Sequence, residues 1–334
     1  MIKVAINGFG RIGRLAFRQM ITSTDFDVVA INDLTSAEDL AYLLKYDTNH
    51  RRFHEDKISS VDNYLVINNM KKIPVYAESD PEKLPWKDLE VDLVLECTGH
   101  FTKEEGARKH ILAGAKKVLI SAPGKGNMKT IVYGVNENIL NGTEEIISAA
   151  SCTTNCLAPV LAVLDKEFGI IKGYMSTIHA YTNDQVTLDI AHKKGYKSRR
   201  GRACAMNIIP ATTGAASAIG KVLPNLEGKL NGVAYRVPVS DGSMIDLVVE
   251  LKRNTTPEEI NQILTNHKSD VLKVTSDPIV SSDVIGQKCG ALVDLGLTSI
   301  VESEGKQLVK VVAWYDNEMG YTTQMMKTAK KLFM

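Results

Sequence analysis

The segment Lys3-Val4-Ala5-Ile6-Asn7-Gly8-Phe9-Gly10-Arg11-Ile12-Gly13-Arg14 enters as a strand and leaves as a helix. Val4-Ala5-Ile6 is a short apolar run, and Leu15-Ala16-Phe17-Arg18-Gln19-Met20 continues with helical character. A second apolar run, Val28-Val29-Ala30-Ile31, stops at Asn32-Asp33, with the acid 20 residues beyond Gly13. Strand, G-x-G-x-x-G, helix, strand and acid, in that order, make up a dinucleotide-binding fingerprint. Gly8 permits the tight turn, Gly10 lets backbone approach a pyrophosphate, and Gly13 lets the helix lie close to the strand. Asp33 would accept hydrogen bonds from the adenosine ribose hydroxyls and repel a 2′-phosphate, so the expected cofactor is NAD.

Further strands extend this half. Val91-Asp92-Leu93-Val94-Leu95-Glu96 runs into Cys97-Thr98-Gly99, and Lys117-Val118-Leu119-Ile120 runs into Ser121-Ala122-Pro123. Small polar residues just past the carboxyl ends of strands sit where open α/β sheets bind ligands, which makes Thr98 and Ser121 candidate cofactor contacts. Residues 47–80 are more polar, and Tyr64-Leu65-Val66-Ile67 suggests a short antiparallel insertion. His50 and His54 lack an acid or a third ligand nearby, and no metal site is expected.

The second half is built around Ser151-Cys152-Thr153-Thr154-Asn155-Cys156. The apolar run Ile146-Ile147-Ser148-Ala149-Ala150 reads as a buried strand, and Leu157, Val160, Leu161 and Leu164 recur at helical spacing. A cysteine on the first helical turn meets unpaired backbone N–H groups and the helix dipole, which stabilise a thiolate. Cys152 is therefore the candidate nucleophile. His179, at the end of Tyr174-Met175-Ser176-Thr177-Ile178-His179, is the candidate base or cationic neighbour that such a thiol needs.

Lys193 to Arg202 carries six positive charges in ten residues, as suits a loop that holds an anion. Thr212-Thr213-Gly214 before a small-residue helix is likewise suited to anions. Arg236, inside an otherwise apolar strand, is expected to face something negative. Val233–Val239 and Met244–Leu251 flank Ser240-Asp241-Gly242-Ser243 and read as a hairpin. Thr298–Glu302 and Leu308–Tyr315, around Glu304-Gly305, read as another.

The chain has 334 residues, 44% hydrophobic and 24% charged, with a net charge of +1. That length suits two domains, and that charge gives no bulk electrostatic reason to bind nucleic acid or an anionic membrane. Five cysteines without a Cys-x-x-Cys pair fit a reducing compartment. Met1 to Ile6 lacks a signal-peptide layout, so a cytoplasmic location is expected.

Five blocks carry a resemblance that runs essentially end to end. They are Asn-Gly-Phe-Gly-Arg-Ile-Gly-Arg from position 7, Ser-Cys-Thr-Thr-Asn-Cys-Leu-Ala-Pro from 151, His-Ala-Tyr-Thr from 179, Thr-Gly-Ala-Ala from 213 and Trp-Tyr-Asp-Asn-Glu-Met-Gly-Tyr from 314. With them the chain resembles the phosphorylating glyceraldehyde-3-phosphate dehydrogenases. The resemblance implies a Rossmann-type NAD-binding domain over 1–150, rejoined by the C-terminal helix 318–334. It also implies an α+β catalytic domain with a mostly antiparallel sheet over 151–317.

The implied reaction takes glyceraldehyde 3-phosphate, NAD and inorganic phosphate to 1,3-bisphosphoglycerate. Cys152 matches the nucleophile and His179 the base. Ser151, Thr153, Thr213 and Gly214 match the inorganic-phosphate site, with Arg200 nearby, and Thr182 and Arg236 match the site for the substrate's own phosphate. Gly8, Gly10, Arg11, Ile12, Asp33, Thr98, Ser121 and Asn317 match cofactor contacts, and a homotetramer is implied. Ser79 stands where arginine or lysine is common, Ala191 replaces a common proline and Cys204 a usual alanine. Erythrose-4-phosphate dehydrogenase and a cofactor-sensing binding protein are the alternatives.

Overall fold

The opening strand β1 (Ile2–Asn7) passes through Gly8 into α1 (Arg11–Met20) and on to β2 (Phe26–Asn32), which pairs with β1 in parallel. Gly8 has φ +91°, and a Cβ there would stand 2.7 Å from the Thr98 backbone nitrogen. A Cβ on Gly13 would fall 2.1 Å from the Gly8 carbonyl oxygen. Two glycines are thus required by close backbone approach, whereas a Cβ on Gly10 would meet nothing within 4 Å.

The computed structural model describes residues 1–193 and 195–334; Lys194 of the basic loop lies outside the described residues. The chain divides into two compact units. One comprises Met1–Ile131, Glu137–Ala150 and Met325–Met334; the other comprises Val132–Asn136 and Ser151–Gln324.

The first unit continues with α2 (Ala37–Lys45), β3 (Ile58–Val61), β4 (Tyr64–Ile67), β5 (Lys71–Tyr76), β6 (Leu93–Glu96), α3 (Glu104–Leu112), β7 (Lys117–Ile120), β8 (Lys129–Thr130) and β9 (Ile146–Ser148). Among the described residues these strands form one sheet in the order β3-β4-β5-β2-β1-β6-β7-β9-β8. From β5 to β8 every pairing is parallel, and β3, β4 and β5 pair antiparallel as the insertion at one edge. Parallel strands need cover on their faces, and the sequence supplies continuous apolar runs for it. Ala5, Ala30, Trp86, Val94, Val118 and Ile120 share one buried cluster. Burying a large apolar side chain stabilises by about 1.5–3 kcal/mol, so this cluster anchors the strands whose ends carry Gly8, Asp33 and Thr98.

The second unit holds α4 (Cys152–Phe168), β10 (Ile170–Ala180), β11 (Ile209–Thr212), α5 (Ala215–Val222), β12 (Leu230–Val237), β13 (Ser243–Leu251), α6 (Pro257–Asn266), β14 (Leu272–Thr275), β15 (Ala291–Ser303) and β16 (Lys306–Tyr315). Its sheet, among the described residues, runs β11-β12-β10-β13-β16-β15-β14. Only the β10–β12 and β14–β15 pairings are parallel. The mostly antiparallel α+β reading therefore holds. Helix α7 (Met319–Lys331) gives its first residues to this unit and those from Met325 to the first.

One expected hairpin does not form. β12 and β13 are not neighbours, because β10 lies between them, parallel to β12 and antiparallel to β13. Residues 238–242 instead pass the carboxyl end of β10, where the Tyr181 N–H donates to the Val239 carbonyl at 3.0 Å. Turn chemistry at Asp241-Gly242 marks a reversal but does not say which strand fills the space. The β15–β16 hairpin does form, through Glu304 and Gly305 at φ +52° and +72°. Positive φ at both central residues matches the twist of a two-residue hairpin. No helix among the described residues is long and apolar enough to cross a membrane.

Candidate active site

In the first unit the loops after β1, β2, β5 and β6 enclose a cleft of about 600 Å³ lined by Gly8, Gly10, Asp33, Ser79 and Thr98, among others. Asp33 Oδ2 accepts the Phe9 N–H at 2.7 Å, so one carboxylate oxygen secures the glycine turn and orients the other. Arg11 and Ile12 lie on the first turn of α1. Arg11 is committed to a bidentate pair with the buried Asp47, whose Oδ1 also accepts the N–H groups of Asn49 and His50. Ser121 hydrogen-bonds the thiol of Cys97, which burial nonetheless pushes up to about 12. The donors, the glycine approach and the acid fit a dinucleotide. Ser79, standing where the resembled family commonly has arginine or lysine, also lines this cleft.

In the second unit Ser151 is the N-cap of α4, its Oγ accepting the Thr154 N–H at 3.1 Å and pairing with Thr154 Oγ1 at 2.7 Å. Capping fixes the helix start, and so the position of Cys152 at its first residue. The residue before the cap, Ala150, is held at φ +59°, an uncommon conformation for a residue with a Cβ. Cys152 Sγ lies 3.4 Å from His179 Nε2. His179 Nδ1 lies 2.7 Å from the Ala180 carbonyl oxygen and 3.1 Å from Arg236 Nη1. The shorter contact, to an oxygen that can only accept, assigns the proton to Nδ1, and the guanidinium, which can only donate, is satisfied by the Ala180 carbonyl and Thr182 instead. Nε2 is then the unprotonated nitrogen, and its lone pair faces the sulfur. His179 is 3% exposed. Burial, then the charge of Arg236, lowers its pKa to about 3. Burial pushes the Cys152 thiol up, opposed by Arg236, the Thr153 side chain and backbone N–H groups at the helix start. Burial thus disfavours the charged form of each partner.

Arg236 lies beside this pair and connects it through Thr182 and Asp184 to Arg200. Arg236 is level with His179 across β10 and β12, and its Nη1 donates to the Ala180 carbonyl at 3.0 Å and to Thr182 Oγ1 at 2.9 Å. Its Nε is buried without a hydrogen-bond partner among the described residues. Thr182 in turn donates to Asp184, which is ion-paired with Arg200. Arg200 and Thr213 line a second cleft of about 510 Å³ together with Lys197, Ser198 and Arg199. Thr213 Oγ1 accepts the Ala215 N–H at 3.2 Å, and Gly214 is the N-cap of α5. Asn317 belongs to this unit, where its Oδ1 accepts from Ser243 Oγ at 2.7 Å.

Replacing Arg236 with leucine is expected to raise the pKa of Cys152 and of His179 together, since the cation lowers both. Alkylation of the thiol near neutral pH should slow by about tenfold, its midpoint moving to higher pH. An unmoved midpoint would mean that Arg236 does not act on the sulfur.

The Thr153 hydroxyl is turned inward, 2.9 Å from Tyr315 Oη, on a residue only 4% exposed. Three side chains that hold candidate site residues had no individual signal in the sequence. Tyr315 links Thr153 to Thr177 at 2.9 and 2.8 Å and meets the His179 ring edge-on. Asp184 gathers Thr182 and Arg200, and Asp47 holds Arg11. Tyr315 lay within a recognised block, but nothing in its spacing pointed to the nucleophile.

A family model described as glyceraldehyde 3-phosphate dehydrogenase, C-terminal domain, matches residues 151–317. Another, glyceraldehyde 3-phosphate dehydrogenase, NAD binding domain, matches residues 2–104. The chain is similar to glyceraldehyde-3-phosphate dehydrogenases of Clostridium pasteurianum and Clostridium acetobutylicum, each 56% identical over 328 residues, covering 98% of this chain and 97% of the relative. It is also similar to that of Streptococcus pyogenes, 52% identical over 329 residues with the same coverage.

Proposed function

The chain belongs to the glyceraldehyde-3-phosphate dehydrogenase family, and from that premise we propose how its residues carry out the oxidative phosphorylation of D-glyceraldehyde 3-phosphate in glycolysis. The observation that carries the reading is the Cys152 Sγ to His179 Nε2 approach of 3.4 Å, with Nδ1 tied to the Ala180 carbonyl. A base must be in reach of the proton it takes, and must present the correct nitrogen.

Nε2 takes the thiol proton as sulfur adds to the aldehyde carbon, and returns it to the carbonyl oxygen to give a thiohemiacetal. Bound NAD supplies the hydride acceptor. His179 removes the hydroxyl proton as the carbon is oxidised, leaving an acyl thioester on Cys152. Inorganic phosphate then attacks the carbonyl, losing its proton to solvent, the C–S bond breaks, 1,3-bisphosphoglycerate leaves, and the departing sulfur takes back the proton held on Nε2, restoring the thiol. Backbone N–H groups at the start of α4 hold the developing oxyanion.

Thr182 and Arg236 hold the substrate phosphate. Ser151, Thr153, Thr213 and Gly214 hold inorganic phosphate, with Arg200 nearby. The hydrogen-bond chain Arg236–Thr182–Asp184–Arg200 supports placing both anion sites beside one thiol. Gly8, Gly10, Asp33 and Thr98 contact the cofactor, with Arg11, Ile12, Ser121 and Asn317 around it. The chain self-associates as a homotetramer, consistent with Tyr174, Tyr235, Val301 and Leu308 on its second sheet and Leu188, Ile190 and Met206 flanking the basic loop in sequence being exposed. Its five free thiols suit the cytoplasm.

NADH formation measured with glyceraldehyde 3-phosphate and with erythrose 4-phosphate, with and without phosphate, tests the reaction. Rapid turnover is expected only with glyceraldehyde 3-phosphate and phosphate together. Turnover indifferent to phosphate would rule out acyl transfer to phosphate, and a preference for erythrose 4-phosphate would move the chain to the rival activity.

A further inference from the structure

Behind the cofactor cleft, at the end of β6, lies the carboxylate of Glu96, 1% exposed. Its Oε1 accepts the Thr98 N–H at 2.8 Å and the Thr98 hydroxyl. Its Oε2 accepts from Asn7 Nδ2 at 2.6 Å and lies 3.2 Å from His110 Nε2. Trp86 Nε1 is 3.0 Å from His110 Nδ1, and an indole nitrogen can only donate. Nδ1 therefore accepts, the imidazole proton resides on Nε2, and Nε2 donates to Glu96. Four donors meet the four lone-pair positions of an ionised carboxylate, and no cation is needed to satisfy it.

The network reaches the cleft through amides. Asn7 Oδ1 accepts from Asn32 Nδ2 at 2.7 Å. Asn32 then closes on the backbone of Glu78, taking its N–H at 2.9 Å and giving to its carbonyl at 2.9 Å. Asn7, Asn32, Glu78 and Thr98 line the cleft, whereas Glu96, His110 and Trp86 do not.

We propose that Glu96 and His110 are positioning residues for NAD: one shared carboxylate, oriented by a histidine anchored on core Trp86, sets the spacing of the walls formed by Asn7, Asn32–Glu78 and Thr98. The proposal rests on reading this cleft as the NAD site. Losing the His110 donor leaves Glu96 one hydrogen bond short and orphans the Trp86 N–H in the core. Either loss is relieved by the wall loops moving apart.

The test measures KM for NAD and kcat at saturating NAD in four variants. His110→Phe keeps the ring and removes both polar atoms; KM for NAD should rise by about tenfold with kcat within about twofold of the parent. His110→Gln can still give to Glu96 and accept from Trp86, and should restore KM. Glu96→Gln replaces two acceptor positions with donors and should raise KM as His110→Phe does, deciding the matter if His110→Phe does not fold. Asp33→Asn reports on the cleft itself. If Asp33→Asn raises KM while His110→Phe and Glu96→Gln do not, the positioning role fails alone. If none of these variants moves KM, the cleft is not the NAD site. A fall in kcat at constant KM, or a His110→Gln as impaired as His110→Phe, would reduce the network to a structural one and overturn the proposal.

Discussion

Replacing Cys152 with serine is expected to abolish turnover, with a loss of about 10⁴-fold or more, while NAD binding stays within about twofold of the parent. The change is one atom at the first residue of α4, whose Ser151 cap is untouched, so the helix start should persist. A serine hydroxyl is far harder to ionise than a thiol, and neutral His179 is too weak a base to make it a comparable nucleophile. The acyl enzyme would also be an ester, less reactive toward phosphate than a thioester. Both halves of the reaction suffer, which is why this is the largest effect expected. Steady-state NADH formation and a fluorescence titration with NAD measure the two quantities separately. Substantial turnover in the variant would remove Cys152 from the chemistry, and lost NAD binding would show that the substitution damaged more than the nucleophile.

The second large effect is expected from His179→Gln. The glutamine amide can occupy the place of Nε2 beside the sulfur but cannot take a proton, so kcat should fall by about 10²–10⁴-fold, the usual range for general-base catalysis. The variant also separates the proton role from mere contact, because a bond to the sulfur remains possible. A second readout follows from linkage. The folded-state pKa of His179 lies near 3, below the ordinary 6.5, so the unfolded chain binds the extra proton more readily. This histidine's contribution to stability is therefore whole above about pH 6.5 and is lost as the pH falls toward 3. Thermal unfolding of the glutamine variant should be less sensitive to acid across that window. An unchanged kcat would show that another group serves as base, and an unchanged acid response would place the imidazole outside the buried site.

What was legible in the sequence was what local chemistry dictates. Gly8, Gly13 and Asp33 identified the nucleotide half because backbone approach and a fixed acid spacing leave few other options. Cys152 was legible because a helix start announces itself where a buried apolar run ends and a helical apolar period follows. The fold class followed from the same signals, since parallel strands in continuous apolar runs and antiparallel strands joined by turns differ in pattern.

Only the tertiary structure decided the partners. Arg236 reaches His179 because β10 lies between β12 and β13, an order that the turn at Asp241-Gly242 could not reveal. Thr153 faces inward because Tyr315, 162 residues away in sequence, lies beneath it. The protonated nitrogen of each buried histidine was set by a neighbour, the Ala180 carbonyl for His179 and the Trp86 indole for His110. Spacing along a chain records which backbone conformations are allowed. Which donor meets which acceptor depends on strand order and on distances across the sheet, and those exist only once the chain is folded.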